Sequence, residues 1–132
     1  MEETKKPSNI RNYAYVRVST KEQTEARQLV ALRDLNVDIN ERDIYIDHMS
    51  GSHFDRPYYQ ALKRSIRPGD TLYIKSLDRL GRNKEDIKNE WKWFIDNDID
   101  IVVIDTPLIS TTNYKDMGNM GKFISDLILE IL

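Results

Sequence analysis

The chain has 132 residues, 39% hydrophobic and 32% charged, a mixture that argues against a disordered segment and suits one globular domain with its own core. Twenty basic residues against 22 acidic ones give a net charge of −2, so nucleic-acid binding, if present, has to be focused locally. The absence of cysteine rules out disulfides, and no apolar run approaches the roughly 18 residues of a membrane span.

Residues 1–9 read as a polar lead-in, and "MEETKKPSNI" lacks the apolar core of an export signal, so the chain is read as cytoplasmic. The segment 10–132 then alternates strand-like and helix-like patterns without repeat or linker. "NYAYVRVS" has period two, with Ala14, Val16 and Val18 on one face and Tyr13, Tyr15, Arg17 and Ser19 on the other. That pattern predicts a central strand. "TKEQTEARQLVALRDL" opens with Thr20 three positions before Gln23, a capping-box spacing, and predicts a helix with Ala26, Leu29, Val30 and Leu32 along one side. "DIYID", Asp43 to Asp47, predicts a second strand, followed by the loop "HMSGSHFD", in which His48 and His53 are read as loop residues.

Pro57 suits a first helical turn and starts a helix on which Tyr58, Ala61, Leu62 and Ile66 share a face, before Pro68 and Gly69 stop it. "TLYIKSL" predicts a third strand. Leu80, Ile87, Trp91, Phe94 and Ile95 mark a helix from about Gly81 to Asp96, with Trp91, Trp93 and Phe94 read as core and helix surface rather than base-stacking platforms. "IDIVVID", Ile99 to Asp105, is the continuous apolar run of a strand covered on both faces. A loop over Thr106 to Asp116 leads to a terminal helix whose apolar residues Phe123, Ile124, Leu127, Ile128, Ile131 and Leu132 reach the last position, so that this helix is expected to be cut short.

The order predicts an α/β domain: a mostly parallel, four- to five-stranded sheet with helices on both faces. Ligands of such sheets sit outside the carboxyl ends of the strands. On that edge fall Arg17 and Ser19 at the end of the first strand, Arg56 before the second helix, and Arg79 and Arg82 in "SLDRLGRN". Cations at the start of a helix are disfavoured by about 0.3–1 kcal/mol each, so the two arginines of that stretch call for an anion nearby. The forked, permanently charged guanidinium suits a phosphate or phosphodiester, and Ser19 is a candidate nucleophile within the cluster. No clustered metal ligands and no GxxxxGK[ST] loop occur, so neither metal nor nucleotide cofactor is implied. The residues alone leave other readings open. Ser19 and Thr20 equally fit plain helix capping, Asp78 beside Arg79 fits a surface ion pair, and the fold fits a flavodoxin-like phosphate-binding domain.

"YVRVST" followed by Gln23 and Gln28, then "SGSHFDRP", then "LDRLGRN" resembles, in order and approximate spacing, the catalytic domain of the serine recombinases, the resolvase/invertase family; the likeness runs from about Asn12 to Leu132. The resemblance implies that Ser19 attacks a DNA phosphodiester to give a 5′-phosphoserine link and a free 3′-hydroxyl without metal or ATP. It further makes Arg17, Arg56, Arg79 and Arg82 ligands of the phosphate and transition state, Asp78 the acidic residue of the site, and Gln23 and Gln28 supporting polar residues. Double-stranded DNA is the implied partner, with a homodimer and a synaptic tetramer as working assemblies and no membrane. Family members extend the terminal helix and add a C-terminal DNA-binding domain; neither is in these 132 residues, and a catalytic piece, weak or inactive alone, is expected. The alternative is a non-catalytic DNA-binding or oligomerisation module of the same fold.

Overall fold

The computed structural model describes residues 10–18, 22–48 and 55–131. Four strands, β1 (Asn12–Val18), β2 (Ile44–His48), β3 (Thr71–Ile74) and β4 (Asp100–Val103), form one sheet, and four longer helices, α1 (Glu22–Asp34), α2 (Pro57–Ser65), α3 (Lys84–Asp96) and α4 (Asn119–Ile131), accompany it. All pairings are parallel and the strand order is β2-β1-β3-β4. The α/β class, the parallel sheet and the helices on both faces are as the sequence predicts.

The two faces follow from the handedness of the connections. Parallel crossovers are right-handed, so a chain that steps from β1 to β2 in one direction and then from β2 over β1 to β3 in the other must put the two helices on opposite faces. Accordingly Ala14, Val16 and Val18 pack with Leu32 beneath α1. Tyr13, Tyr15, Leu72, Ile74, Ile101 and Val103 pack on the other face with Tyr59 and Leu62 of α2, Trp91 and Phe94 of α3, and Leu129 of α4. The period-two alternation of β1 is thus the division between two apolar clusters.

Several local expectations shift. Strand β2 begins one residue later than predicted, because Asp43 is drawn into a 3₁₀ turn (Glu41–Asp43) capped by the Asn40 side chain, and it ends on His48 rather than before it. On α1 the inward side is centred on Gln28 and Leu32, while Ala26 and Val30 face solvent. On α2 the buried positions are Tyr59 and Leu62, with Ile66 buried just after the helix; of the predicted face only Tyr58, 57% exposed, is misplaced, its place taken by Tyr59. Strand β3 stops at Ile74, and Leu77–Arg79 wind into a 3₁₀ turn. Helix α3 starts at Lys84, with the Asn83 side chain accepting from the Asp86 amide and acidic Glu85 and Asp86 in its first turn, so Arg79 and Arg82 precede the helix rather than sit in it.

The segment after β4 is not featureless loop but three short 3₁₀ turns, Pro107–Ile109, Thr111–Asn113 and Lys115–Met117. It lies along the edge of the sheet: Val103 N donates to Ser110 Oγ (2.9 Å) and Ile101 N to Thr111 Oγ1 (2.7 Å), and both hydroxyl residues are buried. Helix α4 then packs so closely that a Cβ on Gly121 would lie 2.2 Å from the Tyr114 carbonyl oxygen. Among the described residues no helix is long and apolar enough to cross a membrane.

Candidate active site

Strand β1 sends its connection towards β2, and β3 sends its own towards β4. The two chains therefore part above the carboxyl ends of neighbouring strands, and the crevice left there is the place where sheets of this kind hold ligands. Arg17 is the penultimate residue of β1, and Arg79 closes the turn that follows β3.

The two arginines are tied together by one side chain. Gln28 of α1, 2% exposed, donates from Nε2 to the Arg17 carbonyl (3.0 Å) and accepts at Oε1 from Arg79 Nε (3.1 Å). Its amide is satisfied on both sides. Arg17 Nη2 donates to the Asp78 carbonyl at 2.6 Å, and Arg79 Nη1 lies 3.2 Å from Asp78 Oδ1, whose carboxylate also accepts from the Ser76 hydroxyl. Burial holds the Arg17 guanidinium below its usual value, and the positive charges of Arg79 and Arg56 push the same way against Tyr15 and Asp78. The group stays cationic at neutral pH, but a crowd of like charges in a half-buried place gains from an arriving anion.

Arg56 stands at the start of α2, where the sequence places it, with its side chain turned inward. It is 7% exposed, its guanidinium carbon is 3.8 Å from the centroid of the Tyr59 ring, and its nitrogens donate to the carbonyls of Arg79 (3.0 Å) and Leu80 (2.9 Å). These contacts support the 77–80 turn from below. Arg82 stands on the outer side, its side chain 63% exposed and its Nε 4.0 Å from Asp86 Oδ2. Between them Gly81 has a steric reason to be glycine: a Cβ would sit 2.5 Å from the Asp86 Cβ and 2.8 Å from the Ile87 amide nitrogen.

Asp47 was not singled out from the sequence, yet it anchors this arrangement. It is the register partner of Arg17, is 2% exposed, and accepts from the Tyr15 hydroxyl (2.8 Å) and from the backbone amides of Tyr58 and Tyr59 (3.0 Å each). A carboxylate there satisfies orphan donors at the start of α2 and opposes the positive end of that helix. The legible signal was an acid at an inward-facing strand position beside an inward-facing arginine. Ser19 and the side chain of Gln23 lie outside the described residues, as does His53. Arg17, Arg79, Asp78 and Gln28 come together; Arg56 underlies them, and Arg82 flanks them. Among the described residues, no three His, Asp or Glu side chains gather as metal ligands would.

The family profile described as "Resolvase, N terminal domain" matches residues 12–131. A "Resolvase/recombinase" of Pseudomonas putida is 35% identical over 119 residues, covering 90% of this chain and 61% of that protein. The "Transposon Tn3 resolvase" of Escherichia coli is 38% identical over 111 residues, covering 84% of this chain and 57% of that protein. The chain thus spans about three-fifths of the length of these relatives. Among solved structures, a resolvase family site-specific recombinase from Streptococcus pneumoniae overlays with a TM-score of 0.53 at 18% identity, covering 92% of this chain and 89% of its own, which supports the shared fold.

Proposed function

Since the chain belongs to the resolvase N-terminal-domain family, we propose that it is the catalytic domain of a site-specific DNA recombinase in which Ser19 is the nucleophile. The serine oxygen bonds to the phosphorus of a DNA phosphodiester as the P–O3′ bond breaks, leaving the 5′ end on the serine and the 3′ oxygen protonated as a hydroxyl. The reverse displacement rejoins the strands. Because one phosphoester is exchanged for another, no high-energy cofactor is consumed.

The observation that carries this reading is the pair of arginines locked at the crevice. Ser19 follows Val18, the last residue of β1, and Arg17 lies two positions before it. Gln28 fixes Arg17 and Arg79 relative to each other before any substrate arrives, and charge stabilisation by preorganised groups needs no rearrangement during the reaction. Arginine supplies in phosphoryl transfer what a metal supplies elsewhere, at about 10³–10⁵ in rate for a well-placed group. Arg17 and Arg79 are assigned to the phosphate oxygens, Arg82 to the flanking DNA backbone, and Arg56 and Asp47 to support. Asp78 orients the two guanidiniums.

Double-stranded DNA is the proposed substrate and the cytoplasm the proposed location. The proposed assembly is a homodimer that pairs into a tetramer. Its support is α4, where Met120, Phe123, Leu127 and Ile131 are 50–77% exposed in an i, i+3, i+7, i+11 stripe, a seam too apolar to be left in water. The test is a covalent adduct: the full recombinase, incubated with supercoiled plasmid carrying the DNA that flanks its own coding region, is quenched in detergent and the protein–DNA species counted. Ser19→Ala is expected to abolish the adduct. An alanine variant that still links to DNA refutes the assignment, and a wild-type protein that binds this DNA without ever cutting it favours the assembly module.

A further inference from the structure

The loop histidine of the sequence reading is no loop residue: His48 is the last residue of β2, register partner of Val18, and its Nε2 lies 2.8 Å from Oε1 of Glu25 in α1. Helix α1 packs on β1, but towards β2 a cavity of about 600 Å³ opens, walled by Leu29, Leu32, Ile44 and Ile46 and bordered by Glu25. The cavity runs along α1 from Glu25 past Leu32 and Arg33 to Asn36, so apolar packing leaves this side of the helix loosely seated over β2, and the His48–Glu25 contact spans the gap at its Glu25 end. Glu25 and Gln28 are three positions apart, neighbours on one side of the helix. Whatever holds Glu25 therefore also sets the height and rotation of Gln28, and Gln28 holds Arg79 by its Nε.

We propose that His48 and Glu25 are positioning residues: their contact seats the first turns of α1 and so fixes Arg79 through Gln28. The proposal rests on the recombinase reading only for its catalytic consequence; the positioning itself is a property of the chain. Both side chains are largely or partly exposed, 63% for His48 and 29% for Glu25, so their replacement leaves the core intact. Lysine at position 48 can still reach the Glu25 carboxylate.

The Nε–Hε resonance of Arg79 in the ¹⁵N-labelled 132-residue chain reads the effect without DNA. In the unaltered chain it is expected to be displaced from the bulk arginine position and slow to exchange with water. His48→Ala and Glu25→Gln are expected to move it towards bulk and to speed exchange about five-fold, and His48→Lys to restore it, while the urea midpoint stays put. Adduct formation by the full recombinase should fall about five-fold in the first two variants at unchanged DNA affinity, equivalent to about 1 kcal/mol of barrier. An Arg79 signal indifferent to all three substitutions overturns the proposal, as does a loss that lysine fails to repair or one that accompanies a drop in the urea midpoint. If the unaltered protein forms no adduct, the recombinase reading falls while the resonance still decides the positioning.

Discussion

Replacing Asp47 by asparagine tests whether the site is built on a buried charge. The carboxylate takes three donors: Tyr58 N on Oδ1, and Tyr59 N and the Tyr15 hydroxyl on Oδ2. Asparagine offers one oxygen and one NH₂, so in either orientation an amide donor of α2 faces another donor. An unmet buried donor costs about 1–3 kcal/mol, and losing a negative charge at a helix start costs about 0.3–1 kcal/mol more. The expected loss is therefore about 1–4 kcal/mol, a sizeable share of the 5–15 kcal/mol typical of a domain. Urea unfolding followed by circular dichroism should show the midpoint falling by roughly 0.5–2 M, given a slope of about 2 kcal/mol per molar. Asp47→Ala should cost more, since it orphans all three donors. In a double-mutant cycle, Tyr15→Phe should be coupled to Asp47→Asn, because the two side chains share a hydrogen bond. A loss below about 0.5 kcal/mol for Asp47→Asn, or zero coupling to Tyr15, would refute the reasoning.

Gln28→Ala should lower the rate of adduct formation by about ten-fold or more while leaving DNA affinity within two-fold, since Gln28 touches Arg17 and Arg79 rather than solvent; filter binding beside the quench assay separates the two effects. Gly81→Ala should destabilise the chain by about 1–3 kcal/mol, the usual cost of forcing atoms into a packed place, and calorimetry would reveal it. Leu127→Glu on the exposed stripe of α4 should shift the full recombinase towards monomer in sedimentation while leaving the melting temperature of the dilute 132-residue chain unchanged, as Leu127 is half exposed in the single chain. Burial, with the neighbouring carboxylate of Glu90, raises the Tyr59 phenol above its ordinary value, and burial with Asp47 does the same for Tyr15. Both phenols stay protonated in the folded chain when an unfolded one would ionise, so their contribution is complete below pH 10 and is lost above it by about 1.4 kcal/mol per pH unit and group. Tyr59→Phe should flatten that alkaline limb in urea titrations at pH 10–12.

The sheet was legible because alternation is a local signal: Tyr13, Tyr15 and the Ala14–Val16–Val18 set fall where period two puts them. The errors arise where two neighbouring residues compete for one buried place. On α2 both Tyr58 and Tyr59 are aromatic, and the Arg56 guanidinium on its ring, the neighbouring Tyr15 and Phe94 rings and the hydroxyl contact to Glu90 select Tyr59. On α1 the inward position goes to polar Gln28 rather than Val30, because two polar groups from β1 and the 77–79 turn await it there, which apolar periodicity cannot register. The arginines could be placed on one rim from sequence, but not ranked. That Arg56 is committed to carbonyls and Arg82 turned outward depends on the path of a turn fixed by Gly81 and by partners far away along the chain.

The hydroxyls of Ser110 and Thr111 occupy amides that β4 would otherwise present to the outside. A fifth strand, from another molecule or from a misfolded neighbour, finds those positions already filled on that flank. For a chain proposed to be crowded four at a time onto one stretch of DNA, this directs self-association away from open-ended stacking of sheets. It leaves the helical seam free to set how many copies gather and when they let go.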